Sequence, residues 1–561
     1  MVRTSIAIAF AVAACGAADD PAPETASGSV PTASVVATAS GDQELGSVAL
    51  ETSCGEVAHE HVERGLALLH HMTYLDARES FAAAVEADPG CGFGYWGQAM
   101  TLIHPLWPDV PSEEELERGW ELVRLAGENA APDDRSEAYL RTVEAYFRDA
   151  AERAESDRLA AFAAAWAETR DAFPDDLEAR ALSALAHLAT VDPTDKTYAR
   201  QHEALDLLDD VMEAVPDHPG AHHYTIHARD YPPLAEDALE VARTYGRLSP
   251  EIPHALHMPT HIYTRVGLWD ESIDGNDRSA ASSWARGQAA GGIATDFHHA
   301  LDYLAYAHLQ RGEDEQARAV MRHALAADGP WIATNMPAIA YALAAIPARY
   351  ALERRDWEAA ADLEARVPDG FPWDDGFAPF EALTWFAKAV GAARGGDPDA
   401  ARDAIAELET LGERVSRTSS NAYWRTQIQV QELAARAWLA FESGDRAEGL
   451  RLMEQAARIE ATTEKGPVTP GELLPAAEQL GEMLLAEGRA EEALAAYEAA
   501  LARSPRRLNG LAGAALAAHA AGLEDDAARY YDELLDLTAA AEVERPAVAE
   551  ARESLGDVGP R

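Results

Sequence analysis

Two stretches far apart in the chain repeat the same residue types at the same spacing over about 34 residues. Each stretch carries, in order, a glycine, an alanine, an aromatic residue, a second alanine and a proline. In residues 58–91 these are Gly65, Ala77, Phe81, Ala84 and Pro89, and in residues 474–507 they are Gly481, Ala493, Tyr497, Ala500 and Pro505. Small residues let two helices approach, the ring fills the space between them, and the proline ends the second helix. The repeat therefore predicts a stack of helix hairpins in which each hairpin contacts mainly its neighbours.

The spacing of these small, aromatic and proline positions resembles that of tetratricopeptide repeats. Weaker copies of the pattern begin at Pro219, Pro253, His298, Val430 and Leu508, and strand patterns are sparse throughout. We predict an all-α fold, a tetratricopeptide-type helical solenoid of about ten to twelve helix hairpins. Residues 51–296 hold degenerate hairpins with a histidine-rich pair, residues 297–541 continue the array, and residues 542–561 form a C-terminal tail.

Further motifs resemble a widespread group of bacterial tetratricopeptide proteins. The longest is His254–Trp269, which reads His-x-x-His-Met-Pro-x-His-Ile-Tyr-x-Arg-x-Gly-x-Trp. The others are Ala345–Glu353 with Trp357, Glu464–Gly471 with Leu474 and Pro475, Asp88–Cys91, and Tyr95–Gly97. The resemblance spans about Cys54 to Leu535 and implies the solenoid, but no particular activity. Gly466 departs from the group, where a histidine is expected, so we interpret that turn as a rigid loop built on its prolines.

The N-terminus has the features of a targeting signal. Arg3 precedes a short apolar run, Ile6–Ala14, that is too short to span a bilayer. Val12-Ala-Ala-Cys15 resembles the lipobox of bacterial lipoproteins, and an ordinary secretory signal with a chance cysteine is the alternative. The resemblance implies cleavage before Cys15 and a lipid on its thiol. Residues 1–14 would be the signal peptide and residues 15–50, rich in Ala, Ser, Thr and Pro, a flexible tether.

These features predict a bacterial cell-envelope protein that is lipid-anchored and faces the periplasm, with the outer membrane slightly favoured. The chain has 46 Lys and Arg against 96 Asp and Glu, a formal net charge of −50. Such an acidic surface argues against nucleic-acid binding and against docking of basic patches on anionic lipid. Contact with the membrane is therefore expected through the lipid anchor only.

Cys54 and Cys91 remain after Cys15 is assigned to the lipid. Cys54 precedes the first helix of a predicted hairpin and Cys91 follows the second, so the turn geometry brings them to the same side. The envelope favours oxidation. We predict a Cys54–Cys91 disulfide, the alternative being two free, buried thiols.

Histidines recur at equivalent places of neighbouring frames. His223 and His227 occupy the fifth and ninth places of the frame that begins at Pro219, and His257 and His261 the same places after Pro253, with His254 at the second. Spacing of i, i+4 puts each pair on one helix face. The family resemblance implies that these places, and His299, Asp302 and Tyr306 in the next frame, face the concave groove. Pro259 complicates the register, because a helix that began there would leave His254 and His257 in a loop.

Three hypotheses follow. The first is a scaffold that binds a peptide or protein partner in its concave groove through His299, Asp302, Tyr306 and Arg265. The second is a transition-metal-binding protein with His223, His227, His254, His257 and His261 as ligands and Zn or Cu as the metal. The third is a metal-dependent hydrolase that keeps one coordination position for water. An enzyme is the less favoured interpretation, because no nucleophile elbow, phosphate loop or His-Glu-x-x-His motif accompanies these residues.

Overall fold

Helices joined by short turns make up nearly all of the described chain. The structure, a computed structural model, describes residues 43–557 except 108–109, 132, 193, 328, 333–334, 416–418, 467 and 542–544. Residues 40–561 group as one compact unit, so the predicted parts 51–296 and 297–541 belong together. Cys15, the signal peptide and most of the tether lie outside the described residues. Within those residues, no helix combines the length and apolar composition needed to cross a membrane.

The helices are α1 (Glu56–His70), α2 (Tyr74–Ala87), α3 (Gly92–Met100), α4 (Glu113–Asn129), α5 (Asp134–Phe147), α6 (Glu155–Ala172), α7 (Leu177–Leu188), α8 (Ala199–Ala214), α9 (Pro219–Arg229), α10 (Leu239–Leu248), α11 (Pro253–His257), α12 (Pro259–Val266), α13 (Trp269–Ala289), α14 (Thr295–Gln310), α15 (Asp314–Ala326), α16 (Met336–Glu353), α17 (Trp357–Ala361), α18 (Ala378–Gly395), α19 (Pro398–Arg414), α20 (Ser419–Glu442), α21 (Arg446–Glu460), α22 (Ala476–Ala486), α23 (Ala490–Arg503), α24 (Leu508–Ala520), α25 (Glu524–Leu537) and α26 (Pro546–Asp557). Short 3₁₀ turns occur at Ala150–Glu152, Glu236–Ala238 and Asp375–Phe377. Two short strands, β1 (Ile293–Ala294) and β2 (Trp331–Ile332), pair in parallel, with Ile293 opposite Trp331.

Consecutive helices pack as hairpins along the whole array. The described residues form twelve of them: α1/α2, α3/α4, α5/α6, α7/α8, α9/α10, the broken helix α11–α12 with α13, α14/α15, α16/α17, α18/α19, α20/α21, α22/α23 and α24/α25. This confirms the predicted all-α, tetratricopeptide-type solenoid.

Glycines of the repeat pattern mark close helix approaches. A Cβ atom on Gly65 would lie 2.9 Å from the Phe81 ring, and one on Gly481 would lie 2.7 Å from the Tyr497 ring. Real Cβ atoms do not approach rings so closely, because interiors are already packed to the density of organic crystals. The small–aromatic pairing that the sequence repeats is therefore a packing requirement of each hairpin.

Contacts also join hairpins that are far apart in the array. Trp269 donates from its indole Nε1 to the carbonyl of Arg506 at 2.8 Å, and the backbone N–H of Leu508 donates to the Gln310 side chain at 2.9 Å. Arg507 is buried and donates to Glu353 and Glu478. Each hairpin still packs mainly on its neighbours, as predicted, and α24 in addition contacts α14.

Both ends of the predicted array differ from the structure. The end of the predicted tether is not free: Leu45 and Leu50 are buried, and the carbonyl of Leu45 accepts a hydrogen bond from the His71 ring at 3.1 Å. The predicted tail contains α26, which packs on α25, and Arg545 donates to the Asp314 carboxylate. Apolar side chains at these positions pack against the solenoid. The low aromatic content of the tether did not indicate this packing.

Cys54 and Cys91 are joined by a disulfide with 4.8 Å between their Cα atoms. Cys54 lies just before α1, and Cys91 is the residue that precedes α3. The bond thus links the start of the first hairpin to the start of the second.

A long irregular segment, residues 463–475, leaves the helical array between α21 and α22 and lies against the inner side chains of other hairpins; it is described except for residue 467. Tyr303 on α14 donates to the carbonyl of Thr469 at 2.9 Å. Arg349 on α16 donates to the carbonyls of Gly471 and Glu472 at 3.2 and 2.8 Å. The segment therefore occupies the hydrogen-bonding groups of Tyr303 and Arg349.

Candidate metal centre

Helices α9, α11, α12 and α14 supply the histidines. Prolines stand at the first position of α9 and α11, where the missing N–H costs nothing, and Pro259 begins α12. The residue between α11 and α12, Met258, keeps right-handed helical angles (φ −54, ψ −39). The chain thus stays helical from Pro253 across Pro259, so His254 and His257 are not in a loop, and His257 and His261 share a face one turn apart.

Three buried imidazoles form what we call the first cluster: His257, His261 and His299. One ring nitrogen of each lies within 4.8 Å of one ring nitrogen of the other two. The Nε2 atoms of His257 and His261 are 3.0 Å apart. Two nitrogen ligands of a tetrahedral Zn²⁺ ion, each about 2.0–2.1 Å from the metal, would lie about 3.3 Å apart. The spacing of the His257–His261 pair is therefore close to that of two metal ligands.

Hydrogen bonds on the opposite side of two of the three rings, those of His257 and His261, fix the positions of their protons. His261 Nδ1 lies 2.9 Å from a carboxylate oxygen of Asp230, so Nδ1 carries the hydrogen and donates it. His257 Nδ1 lies 2.7 Å from Asn276 Oδ1. The Asn276 amide cannot be flipped, because its Nδ2 donates to the carbonyl of Ser272 at 2.8 Å. Both Nε2 atoms therefore present lone pairs to each other, and a cation bound between them would satisfy both.

Burial opposes a proton in that position. Desolvation lowers the pKa of His257 well below its usual 6.5, and the neighbouring His299 lowers it further. Desolvation also lowers the pKa of His261 to about 4, although its hydrogen bond to Asp230 acts in the opposite direction. At neutral pH both rings are neutral, which is the form that binds a metal ion.

Asp230, just beyond α9, is the carboxylate behind the first cluster. Lys465 and Arg265 donate to it at 2.7 and 2.8 Å, and these charges hold its pKa well below the usual range in spite of burial. A carboxylate that accepts from a ligand imidazole orients the ring and raises its basicity. Lys465 comes from the segment 463–475, so that segment is tied directly to the site.

A second cluster consists of His223, His227 and His254, whose ring nitrogens also meet within 4.8 Å. His223 Nδ1 donates to the carbonyl of His70 at 2.6 Å, which leaves its Nε2 as a lone pair without a partner. The structure thus divides the five predicted ligands between two clusters and adds His299, which the sequence suggested only as a groove residue.

A third group, His70, Glu178 and His218, is also close enough to share an ion, but three of its four ring nitrogens already have hydrogen-bond partners. His70 contacts Glu178 at 2.8 Å and the Tyr224 hydroxyl at 2.9 Å. His218 accepts from the backbone of Ala221 through Nδ1 and faces Glu178 through Nε2 at 3.3 Å. This group is a hydrogen-bonded structural network, which sequence analysis missed because its members are far apart in the chain: His70 ends α1, Glu178 lies in α7, and His218 precedes α9.

The first and second clusters face one small cavity. Its lining residues include His227 and His254 of the second cluster and His261 and His299 of the first. The remaining wall contains apolar side chains, among them Trp107 and Val468. A metal ion in either cluster would therefore have space on one side for a small ligand.

The other predicted groove residues are buried, so the expectation that they line an open groove is not met. Arg265 donates to Asp230, and the Tyr306 hydroxyl accepts from Arg507 at 2.6 Å. Asp302 faces Arg349 at 3.7 Å, and burial raises its pKa to about 7 in spite of that charge. These side chains are covered by contacts with residues of other hairpins, which the helical periodicity does not predict.

Asp230 and Asn276 were also missed by the sequence analysis. Asp230 follows His227 by three residues, and this short spacing of a carboxylate from a histidine pair was a usable signal. Asn276 lies on the second helix of its hairpin, in the middle of α13, where a polar residue is not conspicuous.

No family model matches the sequence, and a search of curated proteins finds no match. Solved structures with a similar fold are a chain of the APC/C hetero-tetramer Cut9-Hcn1 (12% identity, 89% of this chain and 76% of that chain, TM-score 0.34), the human IFIT1 dimer with m7Gppp-AAAA (13%, 87% and 96%, 0.39) and the P58(IPK) TPR domain (14%, 90% and 99%, 0.21). Likeness at this level carries no argument about ligands or activity.

Proposed function

We propose that this chain is a transition-metal-binding protein whose ion is held by His257, His261 and His299. The observation that carries the proposal is the 3.0 Å between the two Nε2 atoms, whose rings both donate from the opposite nitrogen. An all-imidazole ligand set suits Zn, Cu or Ni rather than Ca or Mg. Zn and Cu are the metals we expect.

Three protein ligands leave a fourth coordination position, and the cavity lies beside it. Zinc sites that keep such a position are catalytic more often than structural, and zinc lowers the pKa of its bound water to about 7. A metal-dependent hydrolase is therefore the narrower form of the proposal. The test is to incubate metal-loaded protein with panels of esters, amides and phosphoesters. Turnover that disappears when the metal is removed by a chelator would support the hydrolase.

The binding experiment compares wild type with a variant that carries His257→Ala and His261→Ala. Elemental analysis and calorimetric titration with Zn²⁺ and Cu²⁺ should show that the variant has lost an ion. His222→Ala is the matched control, because this buried histidine on α9 contacts the carbonyl of Pro216 and belongs to neither cluster. Equal metal content in wild type and the double variant would refute the proposal.

Partner binding in the groove is the second candidate. Arg349 and Tyr303 already bind extended main chain, that of the segment 463–475. A peptide or protein partner would have to replace this segment. In a variant whose residues 463–475 are replaced by a Gly/Ser linker, a labelled peptide of that sequence should bind. The absence of binding by a folded variant would remove this candidate.

We also propose that the protein is anchored in the cell envelope through a lipid on Cys15, facing the periplasm, with no nucleic-acid partner. The support is the lipobox-like sequence and the net charge of −50. Cys15→Ser should leave the chain unlipidated and change its membrane fractionation and mass. An unchanged distribution and mass would contradict the lipid anchor.

A further inference from the structure

The second cluster has the features of a binding site rather than of a packed core. Nε2 of His223, Nε2 of His227 and both ring nitrogens of His254 are buried without a hydrogen-bond partner. Buried polar atoms are nearly always paired, so an unpaired set that converges needs an explanation. The rings of His223 and His227 are 4.9 Å apart and those of His223 and His254 are 5.0 Å apart.

The proton positions in this cluster favour a cation. His223 uses Nδ1 as a donor to the His70 carbonyl, the hydrogen bond that commonly orients an imidazole for metal binding through Nε2. Nε2 of His223 is therefore left with a lone pair and no hydrogen-bond partner, and Nε2 of His227 has no partner either.

The two clusters adjoin across the cavity. Ring centres of His227 and His261 lie 6.2 Å apart, and those of His254 and His257 lie 6.2 Å apart. Distances between rings inside the first cluster reach 6.0 Å. The separation between clusters is therefore hardly larger than the separations within one.

We propose that the chain binds a second transition-metal ion through His223, His227 and His254, and that the two ions share one cavity as a dinuclear centre. This rests on the proposed function for the first ion. Each ion would have three imidazole ligands and one side open to the shared space. The second site needs its own test, because His223 and His227 do not contribute to the first.

Charge identifies the class of ligand between the ions. Six neutral imidazoles leave the charge of two divalent ions uncompensated. Asp230 is already paired with Lys465 and Arg265, and Asp296 is a carboxylate at the cavity wall, 3.4 Å from His254. A small anion, hydroxide or an oxyanion, would therefore bridge the two ions.

The experiment measures stoichiometry and the distance between ions. Wild type should bind two Cu²⁺. Two double variants should each bind one Cu²⁺: the first carries His223→Ala and His227→Ala, and the second carries His257→Ala and His261→Ala. In electron paramagnetic resonance, each single-site variant should give a mononuclear signal. Fully loaded wild type should give less signal per copper than the variants, because adjacent spins couple. His222→Ala again serves as the control and should behave as wild type.

Azide, a small anion with a charge-transfer band on Cu²⁺, tests the shared cavity. Loaded wild type should bind one azide per two coppers, and each single-site variant should bind it at least tenfold more weakly. Two coppers whose signals simply add, each with its own azide, would overturn the shared centre.

The outcomes separate this inference from the proposed function. A single ion in wild type that disappears with His257→Ala and His261→Ala overturns the second site and leaves the first. A single ion that disappears only with His223→Ala and His227→Ala overturns the proposed function, and with it the pair. Where an alanine variant does not fold, judged by circular dichroism, His227→Gln replaces it and should still remove the second ion.

Discussion

The Nε2 atoms of His257 and His261 face each other across 3.0 Å, although each ring already donates a hydrogen bond from Nδ1. The pair lies one turn apart on a helix that continues across Pro259, so its geometry is set by local structure. The partners behind the rings, Asn276 and Asp230, come from other elements of the fold. Substitution of Asn276 or Asp230 can therefore test whether the histidine pair binds a metal ion without changing either histidine.

Asn276→Ala should weaken metal binding by about 10–100-fold, the usual effect of removing a partner of a ligand imidazole. The substitution removes the acceptor that fixes the His257 proton on Nδ1. Asn276→Asp keeps an acceptor there and should retain most of the affinity. Competition with a chelator measures both. Ser279→Ala on the same helix, which loses a 2.7 Å hydrogen bond to the Pro253 carbonyl, is the structural control and should bind as wild type does.

Reduction of the Cys54–Cys91 disulfide should destabilise the N-terminal hairpins by about 2–4 kcal/mol, because the bond closes a loop and restricts the unfolded chain. The thermal midpoint of Cys54→Ser with Cys91→Ser should fall, and hydrogen exchange should increase first in α1 to α3. A midpoint that does not respond to reductant or to the double substitution would contradict this role.

Gly481→Val should destabilise the fold by about 1–3 kcal/mol or more, because the new side chain overlaps the Tyr497 ring. Gly395→Ala is the matched control: this helical glycine has no atom within 4 Å of its Cβ position. Since alanine favours the helix, the control should be neutral or stabilised by about 0.5–1 kcal/mol. Chemical denaturation compares the two, and equal stability of Gly481→Val and wild type would show that α22 and α23 are not held as described.

Glu460→Gln should stabilise the protein at alkaline pH. Burial, with the nearby charge of Glu472, raises the pKa of Glu460 from 4.5 to about 8, so folding takes up a proton between these values. Its contribution to stability is complete below pH 4.5 and is lost as the pH rises through 8. The backbone N–H of Ala476 donates to Glu460 at 2.8 Å, and glutamine still accepts that bond.

The gap in thermal midpoint between Glu460→Gln and wild type should therefore widen from pH 5 to pH 8.5. Glu491→Gln, which removes an exposed carboxylate on α23, is the control. Its thermal midpoint should differ from that of wild type by the same small amount at pH 5 and at pH 8.5. A gap for Glu460→Gln that does not change with pH would contradict the raised pKa.

The sequence predicted the elements of the fold because those elements depend on local spacing. Gly65 and Phe81, or Gly481 and Tyr497, recur at fixed intervals, and that interval is enough to specify a helix hairpin. The closeness of His257 and His261 also follows from i, i+4 spacing. The resemblance to tetratricopeptide repeats pointed to the same solenoid.

The sequence by itself thus determined the hairpins and which histidines share a helix face. Only the tertiary structure decided that the histidines form two clusters, that His299 joins the first, and that Asp230 and Asn276 fix the protons. It also placed the segment 463–475 over Arg349 and Tyr303. The physical reason is that periodicity specifies contacts within a hairpin, whereas contacts between distant hairpins depend on small rotations summed along the solenoid.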